Sequence, residues 1–222
     1  MDDGGRQVLA SAHAVLIVID EQRRHMDPEI AYHPVAAPDG PRVLANTARA
    51  LGAARASGVP VVHVCTYGRL PYRGDHVDQK NPFMNRQGVI PGSGVRRQPH
   101  RCVEGSPFAE IMPEVAPRDG EPVVVKHRYS GFFNTDLDLV LRGIGATAVV
   151  LAGVNTNNCV MGTAFDAHAR DYSVFVLSDA CGSMNGPEFH DLGLRQIATA
   201  LGWLLDVDEW VEMTAGALAR RS

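Results

Sequence analysis

Five short runs of β-branched and other apolar residues, at 14–20, 60–66, 122–127, 146–154 and 173–178, are spaced so that a helical stretch falls between most of them. Runs that are apolar throughout, instead of alternating with polar residues, are those of strands covered on both faces, the environment of a parallel sheet. Parallel neighbours need a long return connection, and the intervening segments supply it. Residues 42–57 are rich in Ala and Leu, with apolar positions at i, i+3 and i+4, and end at Gly58 before a proline-led strand. Residues 135–143, 159–170 and 187–201 read as further helices, 202–205 as a sixth short strand and 208–218 as a closing helix. Strands alternating with helices fold through right-handed crossovers into a doubly wound α/β sheet of about six parallel strands, with helices on both faces.

A chain of 222 residues suits one such domain and is short for two. Neither period is sustained between 67 and 118, where Gly, Pro, Arg and His are frequent and only 107–112 looks briefly helical. Loops of that length inside a compact domain tend to be lids or binding loops, so substrate selectivity is expected there. A net charge of −4 gives no reason to expect nucleic acid. No apolar run approaches the roughly 20 residues needed to span a bilayer, and the acidic start MDDGGRQ is unlike a secretory leader, so a cytoplasmic location is expected.

In an open parallel sheet, chemistry collects outside the carboxyl ends of the strands. Asp20 ends the first run, Lys126 ends VVVK, and Cys159 follows the run that closes in GVNTNN. These residues are expected at three adjacent strand ends, giving a thiol a base, a cation and a fixed geometry. Read as the opening residue of a helix, Cys159 would feel the positive end of the dipole, which favours thiolate, and would lie beside outward-pointing N–H groups able to hold an oxyanion. Each residue alone also has a plainer reading: a buried cysteine, a solvated strand-end lysine, an aspartate capping a loop. Gln22 either orients Asp20, donates to substrate or is an exposed loop amide. The four cysteines, Cys65, Cys102, Cys159 and Cys181, form no CxxC pair, so reduced thiols are expected, with Cys65 and Cys181 as small core residues.

The motifs VLIVIDEQ, KHRYSGFFNTDLDLVL and GVNTNNCVMGTAFDAHARDY together resemble the isochorismatase-like cysteine hydrolases, over nearly the whole chain. Within that family, YSGFF and GPEF look most like the ureidoacrylate, biuret and N-carbamoyl amidohydrolase branch. The resemblance implies a catalytic triad of Asp20, Lys126 and Cys159 acting on a small amide, ureido or carbamoyl substrate through an acyl-enzyme, with no cofactor. It also implies a cis peptide bond between Val154 and Asn155, which aims the Asn155 N–H, with that of Cys159, at the substrate carbonyl. Tyr129, Phe132 and Phe133 would wall the pocket, with core packing as the rival for the phenylalanines, and a homodimer or homotetramer is expected. One departure stands out. These enzymes usually continue the acid motif with a small polar or aromatic residue, whereas Arg23, Arg24 and His25 follow here, leaving the pocket wall beside that strand open.

The nine histidines include no pair at i, i+4 or HxH spacing, so no metal is expected. His63, Asp75 and His76 come nearest to the metal trio of the nicotinamidase branch without matching its spacing. An isochorismatase-type or nicotinamidase-type hydrolase is the alternative enzyme, and an inactive thiol sensor or binding protein on the same scaffold is the alternative from another class. The substrate is not legible: Arg69, Arg73, His76, Arg86 or Arg128 could each receive a carboxylate.

Overall fold

A computed structural model describes residues 1–35, 39–78, 80–85, 89 and 101–219. In chain order the elements are α1 (Asp3–Ser11), β1 (Ala14–Ile19), α2 (Arg23–Met26), α3 (Asp39–Ser57), β2 (Val61–Thr66), α4 (Pro82–Asn85), β3 (Val123–Lys126), α5 (Leu137–Ile144), β4 (Ala148–Val154), α6 (Met161–His168), β5 (Ser173–Gly182), α7 (Pro187–Ala200), β6 (Gly202–Leu205) and α8 (Val207–Ala219). The six strands form one sheet in the order β3-β2-β1-β4-β5-β6, every pair parallel. The expected strands are all present. The order in which successive strands are added reverses between β1 and β4, which is where this architecture opens a crevice.

The period-two alternation of side chains divides the core into two layers. Leu16 and Val18 of β1 with Val150, Ala152 and Val154 of β4 face Val43, Leu51, Trp210 and their neighbours on α3 and α8. Val15, Ile17 and Ile19 with Val149 and Leu151 face Leu137, Leu141, Ala164, Ala167 and Ile197 on α5, α6 and α7. Trp210 closes the first layer, its indole N–H donating to the Ala50 carbonyl at 3.1 Å.

Three local features differ from the expectations. α1 is additional to the expected helices; Asp2 caps it, its Oδ1 accepting from the Gly5 N–H at 2.7 Å. The stretch 107–112 holds one short 3-10 turn at Pro107–Ala109, and a second follows at Pro113–Val115. The helix expected over 159–170 begins later. A π-helical turn covers Thr156–Val160, and α6 starts only at Met161, so Cys159 lies inside the π turn instead of opening an α-helix.

Gly153 shapes the approach to that turn. Its φ is +113°, beside a register irregularity between β4 and β5, and a Cβ there would sit 2.1 Å from the Ile19 carbonyl oxygen. Backbone cannot retreat as a flexible side chain can, so Gly153→Ala is expected to destabilise by at least about 3 kcal/mol. A thermal melt within a degree or two of wild type would show that β1 and β4 can separate locally. The next bond, Val154–Asn155, is cis. Among the described residues no helix is long and apolar enough to cross a membrane.

Candidate active site

Asp20, immediately after β1, is fully buried with φ +54°, a conformation that carries its side chain across the top of the sheet. Lys126 ends β3 and is also fully buried. Its Nζ donates to Asp20 Oδ2 at 2.7 Å, lies 3.3 Å from Cys159 Sγ and reaches the Arg128 carbonyl at 3.2 Å. The three residues meet, but not from three adjacent strands: β2 lies between β1 and β3. Its last residue, Thr66, fills the gap, donating to Asp20 Oδ1 at 2.8 Å while accepting from Lys126 Nζ. Thr66 escaped notice in the sequence although it ends a strand as Asp20 and Lys126 do, and that position was the available signal.

Burial opposes ionisation of Asp20, yet the charges of Lys126 and Arg24 outweigh it and hold its carboxyl below the usual carboxylate range. Burial likewise works against the Lys126 ammonium, but Asp20 and Cys159 keep it above its ordinary value. The thiol goes the other way. Burial pushes Cys159 up to about 11, more than Lys126 pulls it down, and the Asp20 carboxylate, to which the thiol is hydrogen-bonded, adds to the rise. The lowering of the thiol pKa expected from a helix-start dipole gives way to desolvation, and the thiol is held against an ionised base.

The turn bearing Cys159 is fixed from outside. Asn155 Oδ1 accepts from the Met184 N–H at 2.7 Å, Asn157 Oδ1 from Ser183 Oγ at 2.6 Å, and Thr156 Oγ1 donates to the Gly182 carbonyl at 3.0 Å. Thr163 Oγ1 donates to the Cys159 carbonyl at 2.7 Å and accepts the Gly131 N–H at 3.0 Å, which docks the YSGFF loop on the first turn of α6. These polar residues hold the backbone, so a segment that reads as an ordinary surface turn is instead largely buried.

Two candidate substrate contacts, Gln22 and Phe132, are turned into the protein. Gln22 is completely buried, its Nε2 donating to the Ala109 carbonyl at 2.7 Å and its Oε1 accepting from the Thr66 N–H at 3.0 Å. Both ends of the amide are thus spent joining the long loop to β2. Phe132 lies in the core against Tyr172, with ring centroids 6.1 Å apart, because the loop turns it inward below Gly131. Tyr129 and Phe133 point outward, at 41% and 52% exposure. Of the arginines considered, Arg69 pairs with Asp78, Arg73 stacks on Tyr72, and Arg128 donates to the carbonyls of Asp78 and His127; Arg86 lies outside the described residues. His76 sits on the same exposed loop as Asp75. His63 Nε2 faces Glu121, and Asp75 pairs with Lys80. Among the described residues no three His, Cys, Asp or Glu side chains are gathered as metal ligands.

Parts of the 67–118 loop reach residues beside the triad. Cys102 Sγ donates to the Thr66 carbonyl at 3.2 Å, and Gln22 bridges to Ile111. All four cysteines are free and buried, and burial pushes Cys65 up to about 12 and Cys181 higher still.

Replacing Lys126 by Met should raise the Cys159 thiol further, since the one group lowering it most is removed. Each unit of rise cuts the thiolate fraction tenfold, so iodoacetamide labelling of Cys159 near neutral pH is expected to slow by about tenfold or more. An unchanged ultraviolet titration midpoint would reduce Lys126 to a structural strand end.

Residues 14–209 match the Isochorismatase domain family. The chain is 35% identical over 207 residues, covering 90% of itself and 78% of its relative, to the ureidoacrylate amidohydrolase RutB of Methylobacterium radiotolerans. Among solved structures it resembles a cysteine hydrolase from Pseudomonas syringae pv. phaseolicola, with TM-score 0.75, 26% identity and 92% and 93% of the two chains covered. It also resembles the N-carbamoylsarcosine amidase of Thermoplasma acidophilum, with TM-score 0.68, 26% identity and coverage of 88% and 96%. The chain belongs to the isochorismatase family.

Proposed function

We propose that this member of the isochorismatase family is a cysteine-dependent amidohydrolase, cleaving the C–N bond of a small amide, ureido or carbamoyl substrate through an acyl-enzyme on Cys159. The observation that carries the reading is the Lys126 ammonium placed 2.7 Å from Asp20 and 3.3 Å from the Cys159 sulfur, all three buried. The relatives named as amidohydrolases support the bond type.

Asp20 takes the Cys159 proton as sulfur attacks the substrate carbonyl, so the thiol needs no ionisation beforehand. The N–H groups of Asn155 and Cys159 receive the carbonyl oxygen as it gains charge, with Lys126 opposing that charge from below. The tetrahedral species collapses, its C–N bond breaks, and Asp20 returns the proton to the departing nitrogen. Water then attacks the thioester carbonyl, giving its proton to Asp20, and the released Cys159 sulfur recovers a proton from it. Lys126 stays charged throughout and stops Asp20 from keeping the proton. Asp20 and Lys126, both in place beside the thiol, argue against the sensor reading.

Ammonia release should be followed across ureido acids, biuret, N-carbamoyl amino acids and nicotinamide, with and without a chelator. Release from a ureido or carbamoyl compound, unaffected by the chelator, is expected. Release from nicotinamide alone, lost on chelation and restored by zinc or manganese, would reassign the reaction, with His63, Asp75 and His76 as the residues to examine.

A further inference from the structure

Just past Asp20 the chain turns into α2, and this turn brings a second cation to the site. Arg24 is partly exposed as a residue, but its Nε is sealed from solvent and has no hydrogen-bond partner. Its guanidinium lies against the Tyr32 hydroxyl and the Cys102 thiol, close enough to Asp20 and Cys159 for its charge to act on both. Tyr32 is held in place by Phe108, edge to face at 5.2 Å.

Arg23, one residue earlier, is paired with both Asp27 and Glu110. Among the described residues Arg24 makes no ion pair, and the Asp20 carboxylate beside it is already taken by Lys126 and Thr66. Desolvating a guanidinium is costly unless an anion meets it. An arginine Nε with its neighbouring Nη forms the side-on fork that matches a carboxylate with two parallel hydrogen bonds.

We propose that Arg24 receives an anionic group of the substrate, so that the compound cleaved at Cys159 is a ureido or carbamoyl acid carrying a carboxylate and not a neutral amide. This rests on the reaction proposed above. The side-on pair would both neutralise the buried charge and fix the distance between the carboxylate and the reacting carbonyl. Neither a lysine nor a loop arginine already bound to Asp78 offers the same fork.

The test compares iodoacetate, an anion, with iodoacetamide, its neutral counterpart, as alkylating agents of Cys159, read by mass spectrometry of the Cys159 peptide. Losing Arg24 raises the thiol pKa and slows both reagents alike, so the ratio of their rates isolates recognition of the carboxylate. In Arg24→Gln the iodoacetate-to-iodoacetamide ratio should fall by about tenfold or more, the scale of one charge-assisted pair, and Arg24→Lys should recover part of it. A second measurement needs no variant. In the wild-type protein N-carbamoylglycine should protect Cys159 from iodoacetamide at concentrations where its neutral amide, N-carbamoylglycinamide, does not. An unchanged ratio in folded Arg24→Gln, or equal protection by acid and amide, overturns the proposal. Alkylation involves no turnover: a falling ratio in a protein that hydrolyses no carbamoyl compound supports the anion site and removes only the reaction. Equal kcat/KM for carbamoyl acids and their neutral amides removes only the anion site.

Discussion

Cys159→Ala and Cys159→Ser are each expected to lose at least about a thousandfold in turnover while folding normally. Cys159 is 5% exposed, in a turn held by Asn155, Thr156, Asn157 and Thr163 rather than by the sulfur. Removing it costs little packing, on the order of 1 kcal/mol. The serine hydroxyl would sit beside the same base, but it is a far weaker nucleophile and harder to deprotonate. Cys65→Ala and Cys181→Ala remove thiols that burial keeps protonated and that touch none of the triad through a hydrogen bond among the described residues. Turnover should survive both, with modest destabilisation. Steady-state assays on folded protein check this, and wild-type rates in Cys159→Ala would remove the covalent step.

Asp20→Asn should produce two effects of opposite sign. Turnover falls by at least about a hundredfold, the lower end of what a positioned base contributes, because an amide cannot carry the proton from thiol to leaving nitrogen. Alkylation of Cys159 becomes faster. The Asp20 carboxylate raises the thiol by its charge and by accepting its hydrogen bond, so without it only burial opposes the Lys126 charge at the sulfur. The change also leaves Lys126 buried without its anion, a loss of about 3–5 kcal/mol, so folded fraction should be measured alongside. A merely structural aspartate would give slower turnover and slower or unchanged labelling.

Much of the sheet is legible in the sequence because strands buried on both faces must be apolar throughout, and five such runs with helices between most of them admit few arrangements. Asp20, Lys126 and Cys159 follow from position at strand ends, supported by family resemblance. Strand order is not written in any local pattern, which is why Thr66 on the intervening β2 was missed. The π turn carrying Cys159 has no composition of its own, so it reads as the start of α6. Gln22 and Phe132 look like site residues by type, and only the direction of their side chains shows that they hold the loop and fill the core. The direction of the thiol's pKa shift is hidden for a related reason: desolvation depends on everything packed around Cys159, whereas a sequence shows only its neighbours along the chain. Arg24 appeared merely as a departure from the family's usual pattern until α2 turned it toward the site.

The covalent intermediate is tested most directly by mixing excess enzyme with a ureido or carbamoyl compound that it hydrolyses, quenching in acid through a single turnover, and mapping the thiols by mass spectrometry. A thioester adduct that forms and decays on the Cys159 peptide, with Cys65, Cys102 and Cys181 unmodified, is the predicted result. Product formation through the whole turnover with Cys159 unmodified at every time point, together with undiminished turnover in Cys159→Ala, would contradict it.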